Sequence, residues 1–337
     1  MICYSDEIEK RLKHHEQAML MDGKPVELVE AFFDEGGDTY DAMYTDVLEE
    51  IADMIVGNIE SSLSVDDTKE RRLKSTHRRK YNAIWGEGMA WLRSYHTHAM
   101  SASEAFRIYA ELKLIQPDKV HLEEALYRIN ARALLVYEEV TCLLENGYPD
   151  GAMAHYRTLY ELWAVAEFLY HDEDSEAVAI DFMKTANNQA KSETGHYKWA
   201  KTSKRFQDRE NDVSISALVK EAHKTYLKRP GKDASLSKLA KNHEFPNLLI
   251  HPSAFGLEIF SSIFPNAKTV GMANPAISAS IKLNEINEYY FYVFADYALE
   301  DDDFPYIKSN AYICYKSLDA ILSNKIIPMF NKIEHGD

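Results

Sequence analysis

Apolar residues recur along most of this chain at spacings of three and four, the repeat of an α-helix with one buried face. Between Thr39 and Leu63, the positions Met43, Val47, Ile51, Ile55 and Ile59 fall four apart on a single stripe that needs a partner surface. From Leu122 to Leu144, the positions Leu126, Ile129, Ala133, Val136, Val140 and Leu144 mark a long amphipathic helix. Gly147-Tyr148-Pro149-Asp150-Gly151 stops it: glycine supplies the C-terminal turn, and Pro-Asp opens a second helix that runs to about Tyr170. So short a connection predicts an antiparallel hairpin. Further helices are expected over 26–33, 81–92, 102–114, from Ser175 onward, over 215–227, over 236–264 with breaks at Pro246 and Pro252, and over 276–299 and 307–333. Alternating β-branched runs with tight turns are nearly missing. The expected fold class is all-α, a multi-helix bundle with a central helical hairpin. A break at Gln116-Pro117-Asp118 divides an N-terminal helical region, 1–115, from a helical-bundle domain, 118–337.

Composition fits that picture. The 337 residues are 46% hydrophobic, ample for a sizeable core. The formal net charge of −16 disfavours nucleic-acid or acidic-membrane binding by the surface as a whole, so such a role needs a local basic patch. Cys3, Cys142 and Cys314 are far apart and form no paired motif; Cys142 and Cys314 fall within apolar helical patterns, which suits reduced structural thiols. The N-terminus lacks the continuous apolar run of a signal peptide, and nothing approaches the ~20 apolar residues of a membrane span. A cytoplasmic protein with no membrane association is expected.

Two constellations could carry chemistry. On the hairpin's second helix, Arg157 and Glu161 are four apart and share a face, flanked by Tyr156 and Tyr160. The helix is otherwise rich in Leu, Val and Ala, so these charges should be paired or line a polar cleft. Between two prolines, Asn247 and His251 are also four apart, followed by Pro252 and Ser253. That puts an imidazole at a helix end, where it can serve in acid–base work or satisfy a core partner. A third feature is a basic island running from Lys69 through Arg71, Arg72, Lys74, Arg78 and Arg79 to Lys80, which is either a phosphate-contacting cluster or a solvated helix. A weaker basic-aromatic stretch, 196–206, could stack on single-stranded RNA, but packing of Trp199 and Phe206 at a helix end is the simpler reading. Metal-ligand motifs, phosphate-binding glycine loops and the nucleophile elbow are missing from the sequence, and neither a metal nor a cofactor is expected.

The run 131–170, with its Glu-Asn-Gly-Tyr-Pro-Asp-Gly-Ala turn and its Tyr-Arg-Thr-Leu-Tyr-Glu-Leu helix, resembles a bacterial all-helical family of unknown function. The later His251-Pro252-Ser253 fits that family's His-Pro-Ser element, and the resemblance extends over roughly 120–300. It implies that Arg157, Glu161 and His251 are the site residues, with Tyr156, Tyr160, Asn247 and Ser253 in support. The family is distantly similar to HEPN-type helical domains, many of which are dimeric ribonucleases with an Arg-x4–6-His motif. Arg72 to His77 and Arg93 to His98 have that spacing, but such pairs arise by chance in a chain with this many Arg and His; the later element is instead Asn247-x3-His251. Two functions follow. One is an RNA-directed effector, a metal-independent ribonuclease in phage defence or a toxin–antitoxin setting, with His251 as acid–base, Arg157 on the developing phosphorane and Glu161 orienting them. The other is a non-catalytic helical binding or scaffold protein, in which Arg157, Glu161 and His251 form a structural network. Either could act as a homodimer.

Overall fold

A computed structural model describes residues 5–22, 24–35, 38–71, 76–186, 197–209, 213–229, 272–299 and 304–335. Among these the protein is all-α, and the only strand-like pairing is an isolated antiparallel bridge between Ile115 and Ala298. The elements are α1 (Ser5–Met21), α2 (Val26–Glu35), α3 (Asp38–Arg71), α4 (Thr76–Glu111), α5 (Val120–Glu145), α6 (Pro149–Tyr170), α7 (Ser175–Ala186), α8 (Ile215–Tyr226), α9 (Ala273–Tyr297), α10 (Ile307–Ile321) and α11 (Ile327–His335).

The α5–α6 hairpin forms where the sequence pattern calls for it. Gly147 adopts φ +77°, a left-handed conformation that costs glycine nothing. Its N–H bonds to the Leu144 carbonyl at 2.9 Å, and the next N–H, of Tyr148, bonds to Leu143 at 2.9 Å. These two reverse bonds are the Schellman pattern, and Pro149 then opens α6 without losing a bonded N–H. At the other end of α5, the Glu176 carboxylate accepts from the backbone N–H groups of His121 (3.0 Å) and Leu122 (2.9 Å), so α7 caps α5.

Helix α9 is the central pillar. It buries nineteen of its twenty-five residues and packs against α4, α5, α6, α10 and α11. A helix covered all round has no polar face, yet α9 contains Lys282, Asn284, Glu285, Asn287 and Glu288, all buried. The α3 stripe finds its partners: Val47, Ile51 and Ile55 form a small cluster with Ile8 of α1 and Ile313 of α10. The main core is continuous from Val56 of α3 to Phe330 of α11.

Three expectations are corrected, and the helix expected over 236–264 lies outside the described residues. The separate helices expected over 81–92 and 102–114 are one continuous helix, α4, because nothing between them breaks the turn. The helix expected over 307–333 is interrupted by a π-helical turn, Leu322–Ile326, in which the Ile327 N–H reaches back five residues to Leu322. Pro328 is the cause: it has no N–H for the carbonyl four residues earlier, and its ring crowds that position. Of the thiols, Cys314 is buried as expected, but Cys142 is exposed, on the face of α5 turned from the core. Cys3 lies outside the described residues. No helix among the described residues is long and apolar enough to cross a membrane.

Candidate functional site

Arg157 and Glu161 meet as their spacing requires, with Arg157 Nε 3.0 Å from Glu161 Oε1. They are not buried. Their side chains are 40% and 33% exposed, on the shoulder of α6 beside its core face. The apolar residues of α6 that suggested burial lie elsewhere on the helix: Leu159, Trp163, Ala166 and Leu169 are buried, where α6 packs on α5, α8 and α9. Tyr156 and Tyr160 are buried, and the Tyr160 hydroxyl bonds to His223 Nε2 of α8. Asn247, His251 and Ser253 lie outside the described residues, as do Arg72 and Lys74. Arg71 ends α3, and Arg78, Arg79 and Lys80 belong to the first turns of α4. The Arg93–His98 spacing brings nothing together. Arg93 pairs with Glu145, whereas His98 is half-buried with Nε2 3.0 Å from Ser317 Oγ. In the 197–206 stretch, Trp199 and Phe206 are buried against Phe168, so neither is free to stack on a base.

The densest chemistry lies one to three turns further along α6, where it meets α8, α9 and Arg229. Lys282 is 2% exposed, and its ammonium sits 2.7 Å from Glu285 Oε2. It also lies 3.7 Å from the centroid of the Trp163 ring, with the Tyr160 and Tyr226 rings at 5.4 and 5.7 Å. An aromatic box of this kind partly replaces the water a buried ammonium loses. Tyr226 donates to the other Glu285 oxygen at 2.6 Å. Beside this pair, Arg229 is held by Glu288 (2.5 Å), by the Tyr289 hydroxyl (2.9 Å) and, at 3.5 Å, by Glu167. Tyr289 passes its own proton toward Glu167 Oε2. The groups around Arg229 hold its guanidinium charged, against the effect of burial.

Glu167 is fully buried, and its second oxygen, Oε1, has no hydrogen-bond partner. Burial pushes its carboxyl up to about 7; Glu285 and Glu288 push the same way, while Tyr289 and Arg229 resist. One helical turn on, His171 Nε2 lies 3.8 Å from that oxygen and is likewise buried without a partner. Burial, reinforced by Arg229 and Arg205, lowers its imidazole to about 4. Among the described residues no group of three or more His, Cys, Asp or Glu side chains could hold a metal ion.

Residues 123–258 match a family of unknown function, DUF5677. The matched segment holds α5 to α8 with their Gly-Tyr-Pro-Asp-Gly turn, the Arg157–Glu161 pair, Glu167, His171 and Arg229, and it extends through His251-Pro252-Ser253. Lys282, Glu285, Glu288 and Tyr289 lie beyond it, on α9. No curated protein and no solved structure matches the chain. The match supplies a domain of unknown function and no link to HEPN domains.

The sequence reading singled out Arg157 and Glu161 and missed Glu167, His171, Arg229, Lys282, Glu285 and Glu288. A signal was present. Glu167 interrupts an apolar run, and Lys282, Glu285 and Glu288 recur every three residues in a helix rich in apolar and aromatic residues. Charges at helical spacing inside an apolar pattern announce buried pairing.

Proposed function

We propose that this protein is an RNA-directed effector that holds RNA by the basic island between α3 and α4. The supporting observation is where the basic island falls. Seven Lys and Arg residues against the single Glu70 occupy 69–80 of a chain whose net charge is −16. Helix α3 ends at Arg71 and α4 begins at Thr76, so the island straddles a helical junction. A run of positive charge in an otherwise acidic chain suits a phosphate backbone, with the rest of the protein disfavouring non-specific binding.

In this reading cleavage, where it occurs, is metal-independent. His251 would take the 2′-hydroxyl proton, the freed oxygen would attack phosphorus to form the 2′,3′-cyclic phosphate, and the 5′-oxygen would leave, taking that proton back from His251, while the half-exposed Arg157 meets the developing charge with Glu161 holding it in place. A homodimer belongs to the same proposal, by the resemblance to HEPN-type domains; sedimentation velocity tests it. The test of the RNA reading compares the intact protein with a variant in which Arg71, Arg72, Arg78 and Arg79 are Ala, binding single-stranded RNA at low salt. The intact protein should bind and the variant should lose most of that affinity; absence of binding by the intact protein removes the proposal.

A second reading, a non-catalytic binding scaffold, has its own support. Arg157 is already closed on Glu161, and Lys282, Arg229 and Arg205 each face a carboxylate on a buried or half-buried site. It predicts RNA binding without cleavage, and product analysis after incubation separates it from the first.

A further inference from the structure

We propose that Glu167 and His171 form one proton-storing pair, a neutral carboxylic acid facing a neutral imidazole, which keeps the α6–α9 seam balanced in charge and loosens it when the acid ionises. The inference is independent of RNA binding. It begins with two polar atoms that should not be where they are. Glu167 Oε1 and His171 Nε2 are both enclosed, both lack a hydrogen-bond partner, and they face each other at 3.8 Å across one turn of α6. A buried carboxylate would draw a donor onto each oxygen, and a buried imidazolium would draw an acceptor. Glu167 has a donor on Oε2 only, the Tyr289 hydroxyl. At 3.8 Å the two atoms are beyond hydrogen-bond reach, so neither can carry a charge without a large burial penalty; a protonated Oε1 and an unprotonated Nε2 remove both charges.

Charge in the seam leads to the same assignment. The titratable and charged groups facing this pair among the described residues are Glu285, Glu288 and Tyr289 of α9, Arg229 after α8, Arg205 of the 198–209 segment, and Tyr170 of α6, whose ring packs on the imidazole. Arg205 is engaged by Asp172, 3.5 Å away, and by the His171 carbonyl. Lys282 faces Glu285, and Arg229 faces Glu288 at 2.5 Å. A charged Glu167 would be a third carboxylate drawing on Arg229, which stands 3.5 Å from it and is already committed to Glu288. Ionisation therefore sets Glu167 and Glu288 in competition for one guanidinium that joins α6 to α9. A neutral Glu167 leaves that link undivided.

The pair has an unusual consequence for linkage. In the unfolded chain Glu167 loses its proton near the ordinary 4.5, and His171 gains one near 6.5. In the folded protein the acid keeps its proton to about 7, and the imidazole refuses one until about 4. Alone, Glu167 makes stability fall as pH rises from 4.5 to 7, because the folded state binds the extra proton. Alone, His171 makes stability fall as pH drops from 6.5 to 4, because the unfolded state binds it. Between pH 5 and 6 the two slopes oppose, and folding moves a proton from imidazole to carboxyl with no net uptake.

Urea-denaturation profiles of the full chain, Glu167→Gln and His171→Gln over pH 4.5–7.5 test the proposal. Relative to wild type, Glu167→Gln should lose stability toward acid and His171→Gln toward neutrality. Each difference should approach a tenfold change in the folding constant per pH unit, with opposite sign. Difference profiles that are flat, or that share one sign, overturn it. Should either variant fail to fold, carboxyl-carbon NMR of the wild-type protein decides instead. The carboxyl signal sequentially assigned to Glu167, distinguished from the likewise buried Glu123, supports the pair if it stays protonated at pH 6 and titrates near 7, and refutes it if it titrates below pH 5.5.

Discussion

Arg157 and Lys282 show how differently two cations on helices can behave. Arg157 is half-exposed and paired within its own turn, so Arg157→Ala should change stability by less than about 0.5 kcal/mol. Lys282 is almost fully buried, and Lys282→Ala would leave Glu285 an uncompensated charge beside three aromatic rings, costing about 3–5 kcal/mol. Thermal melts of the two variants measured side by side check the contrast; equal losses would show that the buried pair is not what holds the seam. A second residue-scale outcome concerns His98, which burial lowers to about 4. Its folded form resists the proton that the unfolded form accepts, so its contribution is present above pH 6.5 and lost as pH falls toward 4. His98→Gln should flatten that part of the acid-denaturation profile. At this scale the sequence was legible only where partners are close along the chain. The Arg157–Glu161 pair could be read from a spacing of four, but its exposure could not, because α6 is apolar on two sides and the shoulder between them is narrow. The Lys282–Glu285 pair had a local signal in its spacing of three, but Tyr226, and the Glu167–Arg229–Glu288 set, draw on segments far apart in sequence, which no local rule joins.

Elements were more legible than residues, because their boundaries rest on local chemistry. Gly147 and Pro149 fix the α5–α6 turn through a left-handed cap and a first-turn proline, and both signals are visible in five residues. Gly147→Ala, in open space but at φ +77°, should cost about 1 kcal/mol in urea denaturation, and no loss would mean that the cap does not set the turn. The π turn before Pro328 went unread, since a proline in an apolar helical pattern can end, kink or widen a helix, and packing on α4 and α9 selects among these. The α3 stripe was read correctly as needing a partner, but nothing local shows that the partner is α10, some 260 residues later.

For the whole molecule, an all-α fold followed from periodicity alone, and a circular-dichroism spectrum dominated by helix is the corresponding expectation. The position of α9 as a buried pillar did not follow, because its charges and amides disguise it as a half-exposed helix. The arrangement gives the protein two contrasting ends of its chemistry: a core whose cations are closed on carboxylates, and a helical junction where positive charge is concentrated along the chain. The central functional claim rests on the second. It is tested most directly by titrating fluorescent single-stranded RNA with the intact protein and with the Arg71, Arg72, Arg78 and Arg79 to Ala variant across a series of salt concentrations. The account predicts that the intact protein binds at low salt, that affinity falls steeply and log-linearly with salt, and that the variant binds weakly with a markedly shallower slope. Indistinguishable affinities and slopes for the two proteins would contradict it.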